Sequence, residues 1–178
     1  MPIRTRFLIA AVAITCTIVT IAYATPIVGL LVGTILSHGT IADEIAIKVR
    51  VPLPADTPGT DGDGDRDDSW RAKLSTSGPT GITVQDVVYA PGGHTGWHSH
   101  PGFLLSSVIS GSIEWYDDQC TKHVYNPGDS LTETTATHYV RNVGAVNAHF
   151  MVTYVLAHGQ PRRIDQPAPP CSAALGLD

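Results

Sequence analysis

Short apolar runs divided by turn residues, recurring from Gly81 through residue 157, constrain this chain more than any other feature. ITVQDVVYA (82–90), FLLSSVI (103–109), IEWY (113–116), TKHVY (121–125), HYVRN (138–142) and NAHFMVTYVL (147–156) are rich in Val, Ile, Thr and aromatic residues. Such side chains suit a pleated, half-buried surface. Residues 95–100 form one more short extended piece. Pro91-Gly92-Gly93, Ser110-Gly111, Asp117-Asp118 and Pro127-Gly128-Asp129 are turn chemistry. A turn about every 8–12 residues predicts an all-β sandwich or barrel. Long charged helical stretches are absent, and Gly (17) and Pro (13) are plentiful, which agrees.

The 178 residues suffice for one ordinary domain plus an appendage. The net charge of −5 argues against nucleic acid as a partner. The first residues carry Arg4 and Arg6 and no acid, residues 7–24 are uncharged and mostly apolar, and Ala22-Tyr23-Ala24 is a small-x-small cleavage site. This predicts a signal peptide over residues 1–24, a mature chain starting at Thr25, and a secreted or extracytoplasmic protein. The competing reading is an uncleaved membrane anchor helix, because the uncharged run reaches Ser37. Pro26, Gly29, Gly33 and Gly39 interrupt it. In that reading the membrane is a partner through the N-terminal segment alone.

Cys16 lies in the leader, which leaves Cys120 and Cys171. In an oxidising compartment they are expected to form a disulfide that ties the tail to the body; two unpaired thiols are the alternative.

Residues 25–51 read as N-terminal strands joining the barrel, at 27–36 and 44–51. In the second, Ile45, Ile47, Val49 and Val51 alternate with Ala46, Lys48 and Arg50. Residues 52–80, rich in Pro, Gly and Asp, read as a mobile acidic insertion. Asp61, Asp63 and Asp65 are spaced like the start of a calcium loop, but Arg66 replaces its turn glycine and Ala72 its bidentate Glu. A solvated acidic loop fits better. The barrel then covers 81–158, and a Pro-rich, irregular tail covers 159–178.

Three of the eight histidines carry chemistry. His98 and His100 stand at i and i+2, so on a strand both imidazoles point the same way. His138 opens a later strand. If the two strands are neighbours, three neutral nitrogens converge, a set suited to Fe, Mn, Zn, Ni or Cu. Two histidines hydrogen-bonded at a turn are the plain alternative.

The frame around them resembles the cupin family. Gly92, five residues, then His98-Ser99-His100, with Gly111 beyond, follow the first cupin motif, G-x5-H-x-H-x3,4-E-x6-G. His138 with Asn142 follows the H-x3-N that ends the second motif, and Pro127-Gly128-Asp129 supplies its opening turn. The resemblance covers roughly residues 82–157. It implies a cupin-type double-stranded β-helix, or jelly-roll barrel of the RmlC-like kind, with a metal inside its mouth, a small-molecule ligand or substrate, and homodimers built on sheet edges.

Two departures matter. The acid of motif one falls at Leu104, or at Leu105 in the other spacing, and the P-x-G of motif two reads Glu133-Thr134-Thr135. Three outcomes follow. Three histidines alone hold a metal, as in the similar thiol dioxygenases; a substitute ligand, His94 or Glu133, replaces the acid; or the site is empty and leaves a cavity around Leu104, Ser106 and Val108. A finer resemblance, to exported single-domain actinobacterial cupins, rests on GWHSHPG (96–102), Cys120 after its acidic turn, Arg141-Asn142-Val143-Gly144 and Val152-Thr153-Tyr154. It names no reaction. The functions left open are a metal-binding protein, a metal-dependent enzyme such as a three-His iron dioxygenase, a non-catalytic small-molecule-binding cupin, and a structural or assembly role. Trp97 and Trp115 read as packing anchors. Ser106 and Ser107 lack a nucleophile's partner, which argues against a serine hydrolase.

Overall fold

The last apolar run becomes a strand, Ala148–Ala157, whose burial alternates: Ala148, Phe150, Val152, Tyr154 and Leu156 are buried and the residues between them half covered. The same period-2 logic builds the rest. The computed structural model describes residues 24–53 and 69–177. Nearly all of the expected leader and the Asp61, Asp63 and Asp65 run lie outside the described residues. No helix among the described residues is long and apolar enough to cross a membrane.

In chain order the strands are β1 (Val28–Ile41), β2 (Ala46–Pro52), β3 (Ser69–Ser75), β4 (Thr80–His94), β5 (His98–Ser99) and β6 (Gly102–Ser110). They continue with β7 (Ile113–Asp117), β8 (Lys122–Tyr125), β9 (Ser130–Glu133), β10 (His138–Asn142), β11 (Ala148–Ala157) and β12 (Ile164–Asp165). All except β2 and β3 belong to one sheet, in which β12, β5, β10, β4, β11, β6 and β9 follow one another. Off this path, β1 pairs with β4, and β7 pairs with β10 and β8. β4 is the spine, antiparallel to β1 and to β11, and its last residue, His94, meets Arg141 of β10. The sheet curls into a nearly closed, all-β barrel.

The inner faces share one core, with Val87, Tyr89, Leu104, Val108, Ile113, Leu131, Val140, Phe150, Val152, Tyr154 and Leu156 buried in it. Burying each large side chain contributes roughly 1.5–3 kcal/mol. On the outer face, Glu114 accepts hydrogen bonds from Tyr116, Lys122 and Arg141. Burial alone would raise its pKa, but these donors outweigh it and hold the carboxyl down to about 2.

Three expectations change. Residues 46–52 do not join the barrel; β2 pairs with β3 as a separate two-stranded arm. The stretch expected to be loop therefore ends in a strand. Trp70, Ala72 and Leu74 alternate with Arg71 and Lys73, a period-2 signal overshadowed by the acidic run before it. The tail is also more ordered than its prolines suggest. It adds β12 to the sheet, bridges Pro167 to Ala24 and forms a short 3-10 turn over Ala173–Leu175. The Cys120–Cys171 disulfide closes a separation of 51 residues. Leu177 is fully buried with Trp97, Tyr116 and Tyr139, and the Trp97 indole N–H donates to its carbonyl at 2.7 Å.

Gly96 shows why the N-terminal segment can dock. Its φ is +69°, and a Cβ there would lie 2.3 Å from the Thr25 carbonyl oxygen and 2.8 Å from that of Pro26. Beside it, the Trp97 amide donates to the Thr25 hydroxyl. Gly96→Ala is expected to lower stability by at least ~2 kcal/mol, from left-handed strain plus displacement of residue 25. Urea unfolding measures it; an unchanged midpoint would mean that residues 24–26 do not pack here.

Candidate metal centre

β5 and β10 are antiparallel neighbours, with His98 directly opposite His138. Directly opposed residues put their side chains on the same face, so the imidazoles meet inside the barrel. The ring centroids of His98 and His138 are 4.3 Å apart, and His100 completes the group at 4.9 Å from His98 and 5.0 Å from His138.

A fourth member comes from β9, a strand the sequence reading did not contain. Glu133 lies opposite Leu104 in the β6–β9 pairing. The carboxylate expected on β6 therefore reaches the same face from the adjacent strand, one register partner away. Glu133 Oε2 is 3.3 Å from His100 Nε2 and 3.3 Å from His138 Nε2. One ligand atom from each of His98, His100, Glu133 and His138 lies within 4.8 Å of the others, and all four residues are buried.

Backbone contacts fix how these rings face inward. His98 Nδ1 lies 3.0 Å from the Gly96 carbonyl oxygen and His138 Nδ1 lies 2.9 Å from that of Ala136. His100 Nδ1 meets the carbonyl of Arg162 in the tail. A carbonyl only accepts, so each Nδ1 carries the proton and each Nε2 is left with its lone pair. Backbone carbonyls in this role are typical of histidines that hold metals. The Nε2 atoms of His100 and His138 are buried without a hydrogen-bond partner. Two imidazole lone pairs thus face a carboxylate with no donor between them. That arrangement is costly unless a cation or proton occupies the centre.

Where a proton rather than a cation supplies that charge, the histidines and Glu133 share it. Burial would push Glu133 up, but the facing histidines, His138 foremost, outweigh it and hold the carboxyl well below its usual range. Burial, with His138 and Arg163 nearby, pushes His98 well down. Burial acts the same way on His138, yet the Glu133 carboxylate outweighs it and raises that imidazole.

The other sequence candidates separate clearly. His94 is outside the group: it stacks on Tyr139 at 5.2 Å and its Nδ1 accepts from the Gly96 amide. Leu104 and Val108 pack in the apolar core. Ser106 lines the cavity, its hydroxyl buried without a hydrogen-bond partner. Trp115 is more than a packing anchor. Its indole N–H donates to Glu133 Oε1 at 2.9 Å and its ring stacks on His138 at 5.8 Å. Asn142 donates to the Tyr89 and Val146 carbonyls and accepts from the Gly144 amide, which fixes the turn after β10. His149 pairs with Asp86 away from the centre.

The cluster opens onto a cavity of about 410 Å³, walled by apolar residues that include Val87, Phe150 and Val152. Tyr89 and Tyr154 add hydroxyl groups. Burial raises both phenols, Tyr154 to about 12, so they remain O–H donors at neutral pH. The donor set of three imidazoles and one carboxylate fits a divalent transition metal.

Comparison with known proteins bears on the barrel. Residues 85–154 match the model of the family described as Cupin domain. No curated protein matches the chain. Among solved structures, a cupin domain from Bordetella pertussis Tohama I is 23% identical over 43% of this chain and 82% of its own, with a TM-score of 0.39. A double-stranded β-helix protein from Klebsiella pneumoniae is 21% identical over 48% and 75%, with a TM-score of 0.42. A cupin-like protein from Thermotoga maritima is 21% identical over 49% and 65%, with a TM-score of 0.42. With the histidine pair on β5, its partner on β10 and the nearly closed sheet around them, residues 85–154 are the part of this chain that is similar to a cupin domain.

Proposed function

We propose that this chain is a metal-binding cupin in which His98, His100, Glu133 and His138 hold one divalent transition metal and offer it to a small molecule in the barrel mouth. One observation carries the reading. Two buried Nε2 atoms, locked by carbonyl bonds behind them and without a hydrogen-bond partner, converge 3.3 Å from one buried carboxylate oxygen. Bound there, the metal would supply Lewis acidity, or redox chemistry if it is iron, manganese or copper. The protein's own part is positioning: Trp115 holds Glu133 through Oε1, and the Gly96, Arg162 and Ala136 carbonyls orient the rings. The wall is largely apolar, and Tyr89 and Tyr154 furnish neutral hydroxyls. The carboxylate in the cluster favours a four-residue set over three histidines alone. An oxidising compartment belongs to the same proposal, supported by the Cys120–Cys171 disulfide.

Elemental analysis of natively purified protein tests the reading. About one metal per chain is expected, falling below about a tenth in His98→Ala while thermal unfolding stays cooperative. A wild-type protein below that tenth, also after incubation with Mn, Fe, Ni, Cu or Zn, would overturn it. Stoichiometric metal without turnover on any small molecule would leave a binding protein rather than an enzyme.

A further inference from the structure

We infer that Arg163, carried to the barrel mouth by the tail, is the recognition residue for a small carboxylate ligand. This rests on the metal-binding reading for the second half of the site, but the arginine's role can be tested without metal.

Among the described cavity-lining residues the charges are uneven. Glu133 is the one carboxylate, and it belongs to the cluster. Arg162 and Arg163 are the cations, both supplied by the segment between β11 and β12. With a divalent ion in the cluster, two guanidinium groups and one carboxylate leave a strongly positive cavity, which selects an anion. The two arginines differ in what they already do. Arg162 gives its carbonyl to His100 and lies 5.9 Å from the Tyr154 ring centre, over its face. Arg163 spends only its outer edge: Nε donates to Asp165, which is largely exposed, while Nη2 is buried with no hydrogen-bond partner. An unpaired guanidinium N–H inside a protein costs free energy that a ligand oxygen would recover.

The other unsatisfied polar atom in the cavity wall outside the cluster is the Ser106 hydroxyl. A guanidinium edge suits the two oxygens of a planar carboxylate, and the hydroxyl offers a further polar contact in the same cavity. The cavity of about 410 Å³ falls in the range for small ligands. Arg163 lines the same cavity as His98, His100 and Glu133. The ligand class is therefore a short mono- or dicarboxylate, with one oxygen group toward the metal and a carboxylate on Arg163.

Calorimetric titration with malonate, succinate, inorganic phosphate and the neutral malonamide tests this on the full protein, metal-loaded and metal-free, with Trp115 fluorescence as a second readout. Malonate or succinate should bind the loaded protein at least tenfold more tightly than malonamide. Arg163→Gln should weaken that binding at least tenfold with metal content unchanged, and Arg163→Lys should restore part of it. The same dependence on Arg163 should persist, more weakly, in metal-free protein. Equal binding by Arg163→Gln and wild type, equal binding of diacid and diamide, or phosphate binding more tightly than every carboxylate would each overturn the inference. Loss of metal from wild-type protein would instead defeat the metal reading, and the metal-free titrations would still decide the role of Arg163. If Arg163→Gln unfolds, Arg163→Lys against wild type remains decisive: no change in diacid affinity on replacing the fork by a point charge, with malonamide binding equally, rejects the carboxylate.

Discussion

Glu133→Leu should lose bound metal, and Leu104→Glu in the same chain should bring much of it back. The two residues are direct register partners on β9 and β6. Opposed residues in an antiparallel pair have Cβ atoms roughly 4.5–5.5 Å apart and share a face. The cluster needs one carboxylate on that face, and either strand can furnish it. Removing the acid leaves three imidazoles without the charge that offsets the ion. An affinity loss on the order of 100-fold, about 3 kcal/mol, is expected for the single variant, at the upper end of what supporting residues alone cost. Glu133→Leu also strips Trp115 of its acceptor, so Glu133→Gln is the companion variant. It keeps an oxygen for the indole and removes only the charge. Metal content after dialysis and competition with a chelator give the numbers. A Glu133→Leu protein that still holds a full equivalent would remove Glu133 from the ligand set. A folded double variant that binds no better than the single one would mean that the two positions are not interchangeable.

Reducing the Cys120–Cys171 bond should have the next largest effect. With a sequence separation of 51 between the cysteines, the chain-entropy model puts the loss at about 4 kcal/mol. For a barrel of this size that lowers the melting temperature by on the order of 10 °C. Thermal unfolding of the wild type with and without reductant, and of Cys171→Ser, measures it. The consequence extends beyond stability. The tail anchored by this bond carries the Arg162 carbonyl that orients His100, and Leu177 against Trp97. Reduced protein should therefore also bind metal several-fold more weakly, as expected when a supporting contact is loosened. A melting shift below about 2 °C would show that the tail is not part of the cooperative unit.

Both expectations turn on residues whose importance is unequally visible in the amino-acid order. His98, Ser99 and His100 announce a shared face because a strand alternates its side chains, and the motif frame adds His138. β11 is likewise plain, since ten residues rich in β-branched and aromatic side chains run without a turn residue. Glu133 was visible only as one of two substitutes, because its role depends on β9. That strand has four residues, SLTE, too few to display a period. Trp115 is legible as a packing anchor, but its indole N–H finds Glu133 only across 18 positions of chain. β3 was hidden for a different reason: a seven-residue strand directly after a run of aspartates takes on the character of its neighbour.

Local order thus settles everything that repeats over a few residues: the all-β class, the turns, the direction in which neighbouring side chains point, and the lack of an acid at residues 104 and 105. It leaves open which strand lies beside which, because pairing is a contact between distant segments and leaves no local trace. The barrel's closure settles that. It sets β9 against β6, so the missing acid is replaced from across the ladder, and it sets β12 against β5, so a Pro-rich tail brings Arg162 and Arg163 over the histidines.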